Sequence, residues 1–115
     1  MDKTNGKIQS FTDLNAWREA HGLVIVIYEM TKNFPKEELF CLTSQIRRAV
    51  ISITSNIAEG FSRGFNKEKA QFYSIALGSL TELQNQLLVA RHIGYTTASD
   101  FNRIVAAVAP SNESV

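Results

Sequence analysis

Apolar residues recur along most of the chain at intervals of three and four, the spacing of one face of a helix. The first series runs Phe11, Leu14, Trp17, Ala20, Val24, Ile27 and Phe34. Ser10 or Thr12 stands where a side-chain oxygen would cap its first amides. Pro35 closes it, because the proline ring disfavours helical backbone in the residue before it. Within this series lies LVIVIY, β-branched enough to pass for a strand. The helical period continues on both sides of it, so we read it as helix. That reading leaves an apolar surface wider than one face of a bundle needs.

The segment KEELFC after Pro35 reads as a turn or a short helical piece. Thr43 then caps a second helix over about residues 44–63, with Ile46, Ala49, Val50, Ile53, Ile57 and Phe61 on its apolar line and Gly64 as its stop. Asn66 caps a third, lined by Phe72, Ala76, Leu80, Leu83, Leu87 and Ala90, and Gly94 supplies its C-terminal cap. Thr97, with Asp100 three residues on, forms a capping box for a fourth helix through about Ala109, where Pro110 breaks it. We find no strand, internal repeat or low-complexity segment. Four amphipathic helices joined by short loops predict an all-α fold, an antiparallel up-down-up-down four-helix bundle over residues 11–109. Residues 1–10 and 110–115 are expected to be flexible.

Composition narrows the function classes. The 115 residues fit one domain with a modest core. Twelve Lys and Arg against eleven Asp and Glu give a net charge of +1, so no overall field draws the chain to nucleic acid or to a membrane. A single cysteine, Cys41, excludes an internal disulfide and fits a reducing compartment. The N-terminus lacks a signal-peptide pattern, and the longest apolar run, Leu23 to Tyr28, falls far short of the ~20 residues that span a bilayer. The expectation is a cytoplasmic protein with no membrane association.

One stretch departs from the pattern of a buried helix. SITSNIAEG, residues 52–60, is polar and small where bulk is expected. In an antiparallel hairpin turning near residue 65, facing residue numbers sum to about 130. Ser52 then meets Gly78 and Ser79, Arg48 meets Glu82, and Glu59 meets Gln71. Arg48, Ser52, Ser55 and Glu59 share a face by their spacing, with Asn56 at its border. The predicted seam comprises Gln45, Arg48, Ser52, Asn56 and Glu59 on one helix and Ser79 and Glu82 on the next. Its small residues would admit the neighbouring helix, its ionic ends would satisfy each other, and close backbone approach would compensate the helix cost of Gly78, about 1 kcal/mol against alanine.

A polar seam in a bundle most often fixes register or orientation. Catalysis would need a base of near-neutral pKa or an activated nucleophile, and no histidine lies on this face. Di-iron bundles use Glu-x-x-His pairs, which are absent; His21 and His92 read as packed or surface residues. Zinc is unsupported with one cysteine, and no phosphate-binding glycine loop occurs. No catalytic residue, cofactor, metal or small-molecule substrate is therefore expected. Arg47 with Arg48, and Arg63, Lys67 and Lys69 around the second turn, form two small basic groups. Arg47, Arg63, Lys67 and Lys69 are the candidate nucleic-acid contacts, although a solvated hairpin end is the plainer reading of the second group.

Taken in order, FTDLNAW, NFPKEE, LTSQIRRAVISITSNIAEGFSR, ALGSLTELQNQL and ARHIGY resemble the bacterial "four helix bundle protein" family, the 23S rRNA intervening-sequence proteins. The resemblance covers about residues 11–108, and the SxxSNIAEG and GSLxEL blocks together are specific. It implies a left-handed bundle assembled as a homopentamer, which would bury the surplus apolar face of the first helix. The family is similar to the accessory proteins of diversity-generating retroelements, pentameric bundles that bind a reverse transcriptase and nucleic acid. Gln45, Arg47, Arg48, Ser52, Asn56, Glu59, Gly60, Gly78, Ser79 and Glu82 match its signature positions, to which no catalytic role attaches. Thr54 replaces a common proline and Cys41 a common glycine, and the chain ends soon after Pro110 where many members continue. The expectation is a non-enzymatic homo-oligomer, pentameric, serving as a macromolecular interaction module that binds RNA or the ribosome. The alternatives are an accessory subunit of a retroelement reverse transcriptase and, without motif support, an enzyme or metal protein.

Overall fold

The structure is a computed structural model and describes residues 7–108. Four helices carry the chain: α1 (Asn15–Thr31), α2 (Leu42–Ser62), α3 (Asn66–His92) and α4 (Ala98–Val108), with 3-10 turns at Phe11–Asp13 and Lys36–Glu38. No strand occurs among the described residues, and LVIVIY lies wholly in α1. Residues 1–6 of the expected flexible N-terminal segment, the tail 110–115 and the stop at Pro110 lie outside the described residues.

Helix starts moved where a competing hydrogen bond was available. Ser10 does build a capping box, its Oγ accepting from the Thr12 amide at 3.2 Å while the Asp13 carboxylate accepts from the Ser10 amide at 3.2 Å. That box closes only the 3-10 turn; Leu14 then adopts extended backbone, and α1 begins at Asn15. Thr43 is not the cap of α2. The helix begins one residue earlier, the Glu38 carboxylate accepts from the Leu42 amide at 3.3 Å, and the Thr43 hydroxyl is buried with no partner among the described residues. Asn66 is likewise the first residue of α3 rather than its cap, which is Phe65.

Helix ends follow the sequence more closely. Gly94 adopts φ +88°, the left-handed conformation glycine reaches without a Cβ penalty. Tyr95 N–H bonds Ala90 O at 2.8 Å and Gly94 N–H bonds Arg91 O at 3.1 Å, the paired bonds of a Schellman motif. Thr97 Oγ1 accepts from the Asp100 amide at 3.0 Å at the start of α4. α1 stops before Phe34, where Thr31 Oγ1 turns back to Ile27 O at 2.8 Å and the chain leaves through two 3-10 bonds.

The core joins all four helices. Ile27, Ile46, Val50, Leu83, Leu87 and Ile104 are almost wholly buried, each contributing about 1.5–3 kcal/mol relative to exposure. α2 lies between α1 and α3, and α4 touches α1 and α3. Along α2 and α3 the contacts run Ser52 with Ser79, Gly60 with Phe72 and Tyr73, and Phe61 with Lys69.

A candidate interaction surface on the second helix

At 3.6 residues per turn, Arg48, Ser52, Ser55 and Glu59 occupy an arc nearly opposite the line of buried Ile46, Val50 and Ile53 and half-buried Ile57. Only the edge of that arc reaches α3. There the predicted seam closes: the hydroxyls of Ser52 and Ser79 lie 2.7 Å apart, and Asn56 Nδ2 donates to Ser52 O at 2.8 Å and to Ser52 Oγ at 3.1 Å. Ser79 is buried, so this pairing removes the desolvation penalty of a lone hydroxyl.

The ends of the seam do not pair as expected. Arg48 and Glu82 form no ion pair; Glu82 accepts instead from Gln86 Nε2 at 3.1 Å, one turn along its own helix. Together with Gln45, Ala49 and Ser52, they line an open groove of about 330 Å³. Glu59 pairs with Arg63, also one turn on, rather than with Gln71. In both cases a neighbour on the same helix is nearer than the opposite helix, because the arc points outward.

The close approach assigned to Gly78 is corrected as well. A Cβ built there meets nothing within 4 Å. The glycine that admits α3 is Gly60, where a Cβ would stand 2.6 Å from Tyr73 Cε1 and 3.2 Å from Phe72 Cβ. Gly60 is buried on the α3 side of α2, whereas Gly78 lies on an exposed side of α3.

Across the Arg48–Ser52 ridge lies a second groove, of about 560 Å³, lined by Tyr28, Leu39, Phe40, Ser44, Arg47, Arg48, Ile51 and Ser52. Phe40 is 89% exposed, and Leu39, Tyr28 and Ile51 are also exposed. Arg47 is spent within the groove wall: its Nε donates to Thr31 Oγ1 at 2.8 Å and its guanidinium lies 4.6 Å from the centre of the Tyr28 ring. The sequence reading missed this groove. Its signal was the apolar pair Leu39–Phe40 in a segment that no helical core required.

A family model described as 23S rRNA-intervening sequence protein matches residues 12–110, nearly the whole chain. The chain belongs to that family. No curated protein gives a significant match. In this member of the 23S rRNA-intervening sequence proteins, the residues that carried the resemblance divide by place. Ser52, Asn56 and Ser79 close the seam, Gln45, Arg48 and Glu82 line the smaller groove, and Gly60 receives the Tyr73 ring.

The candidate nucleic-acid contacts do not gather into one free basic patch. Besides Arg47, Arg63 pairs with Glu59 and lies 4.7 Å over the Phe72 ring. Lys69 donates to Phe61 O at 2.8 Å and to Gly60 O at 3.3 Å, satisfying carbonyls at the end of α2. Lys67 is exposed. His21 stacks on Trp17 at 4.6 Å, and His92 is exposed at the last position of α3. Among the described residues no group of three or more His, Cys, Asp or Glu could hold a metal ion, and no helix is long and apolar enough to cross a membrane.

Proposed function

We propose that this chain is a non-enzymatic, cytoplasmic, homo-oligomeric module, built from a left-handed, up-down-up-down four-helix bundle and assembled as a pentamer. The observation that carries this reading is the larger groove beside α2. Its lining joins exposed Phe40, Tyr28, Leu39 and Ile51 with two arginines and contains no Lys, Asp or Glu. That is the composition of the centre of a protein interface, enriched in aromatics and Arg and depleted in the other charged residues. Contiguous apolar surface of this kind is uncommon on a chain that stays alone. The seam, whose hydroxyls and amide already satisfy one another, serves helix packing rather than chemistry.

Light scattering after size exclusion tests the assembly. A particle near five times the 12.8 kDa chain mass is expected. A chain-sized particle at every concentration would refute it. Exposed Lys67 and Arg48 favour a second, weaker reading, contact with RNA phosphates. Such binding would fall steeply with salt and weaken in Arg48→Ala and Lys67→Ala; salt-independent binding would exclude it.

A further inference from the structure

Which surfaces meet in the proposed homo-oligomer is written in two apolar faces that share no residue, and the inference rests on that reading of self-association. One face is concave, the groove of about 560 Å³ bordered by Tyr28, Phe40 and Ile51. The other is convex. On α3, exposed Tyr73, Leu77 and Leu88, with half-buried Leu80 and Gln84 between them, follow one another at steps of four, three, four and four residues, within an arc of about 80°. They form a stripe about 22 Å long with no charged side chain. Leu77 is 65% exposed, and Tyr73 and Leu88 are about two-fifths exposed. Arg91 continues this flank and lies 5.1 Å over the Phe101 ring, so α4 meets it at its C-terminal end.

We infer that the α3 stripe of one copy seats in the α2 groove of the next, a head-to-tail contact. A groove pairing with itself would cover Phe40 and leave the stripe bare. A head-to-tail contact covers both faces with one kind of interface, and its repetition about an axis closes a ring. Neither face carries an acidic side chain, so burial strands no carboxylate. Gln84, toward the α4 end of the stripe, brings an uncharged acceptor for Arg48, which makes no ion pair among the described residues.

The test uses Ile51→Glu, which spoils the groove, and Leu77→Glu, which spoils the stripe. Both positions are exposed, 40% and 65%, so each variant should fold, as circular dichroism would verify. Each alone should run as a monomer. Mixed in equal amounts they should form a heterodimer, because Ile51→Glu keeps a sound stripe and Leu77→Glu a sound groove. Three results would overturn the pairing: Leu77→Glu assembling like the parent, two monomeric variants that fail to combine, or Leu77→Glu lowering the melting temperature of the monomer, which would place the stripe under its own chain. A parent protein that is itself monomeric would instead remove the proposed oligomer.

Discussion

Replacing Gly60 and Gly78 by alanine probes the same pair of helices in opposite directions. In a helix interior alanine is favoured over glycine by about 1 kcal/mol, because glycine loses more backbone freedom on folding. At Gly78 the new methyl meets nothing within 4 Å, so Gly78→Ala should stabilise the fold by about that amount. At Gly60 the methyl would stand 2.6 and 2.9 Å from two carbons of the Tyr73 ring and 3.2 Å from Phe72 Cβ. Overpacking of this kind costs about 1–3 kcal/mol. The partly exposed Tyr73 ring can swing away, but Phe72 Cβ is attached directly to the backbone and yields less. Subtracting the propensity gain, Gly60→Ala should destabilise by about 1 kcal/mol, within roughly 0–2. In a Tyr73→Ala background most of the clash is gone, and Gly60→Ala should then be close to neutral or stabilising, a coupling of about 1 kcal/mol or more. Urea unfolding followed by circular dichroism measures these changes. Repeating it at a tenfold different protein concentration separates chain stability from assembly. If Gly60→Ala stabilised as much as Gly78→Ala, or acted identically with and without the Tyr73 ring, the packing argument would fail.

Three further outcomes are expected. Ser52→Ala and Ser79→Ala should each cost about 1 kcal/mol and couple by about 0.5–1.5 kcal/mol through their 2.7 Å contact; additive losses in a double-mutant cycle would deny the bond. The Tyr95 phenol donates to Glu38 Oε2 at 2.8 Å, and that bond first, then burial and the negative charges of Glu38 and Glu37, push its ionisation above the usual 10.0. The folded chain therefore holds this proton longer than the unfolded chain, so the contribution is complete below pH 10.0 and is lost as pH rises through the folded value. Melting temperatures across the alkaline range should fall less steeply in Tyr95→Phe than in the parent, and equal slopes would contradict the bond. Lys69→Met should cost about 1 kcal/mol by releasing the carbonyls of Phe61 and Gly60, read as a lower urea midpoint; an unchanged midpoint would mean that water replaces the ammonium without loss.

Local signals were legible because they act within a turn or two of chain. The 3.6-residue period marked the first three helices, Gly94 marked a left-handed cap, and Thr97 with Asp100 marked the start of α4. Even one long-range contact, Ser52 with Ser79, could be read from the spacing about a short turn. The errors share a cause, which is that direction around a helix axis depends on where neighbouring helices press. Arg48 and Glu82 were placed at the right level, yet Glu82 bonds Gln86 on its own helix. Gly78 was correctly seen as a cost without local benefit, but the clearance it was thought to serve belongs to Gly60. Thr43 looked like a cap until Glu38, held by the preceding turn, reached the Leu42 amide instead. The sequence by itself thus determined the helices, the apolar lines of the first three and the level of the polar seam, since periodicity and capping are local. Tertiary structure alone decided which polar ends pair along one helix rather than across two, which glycine admits a ring, and that Phe40 stands beside an open groove, because each depends on the angle at which packed helices present their outer faces.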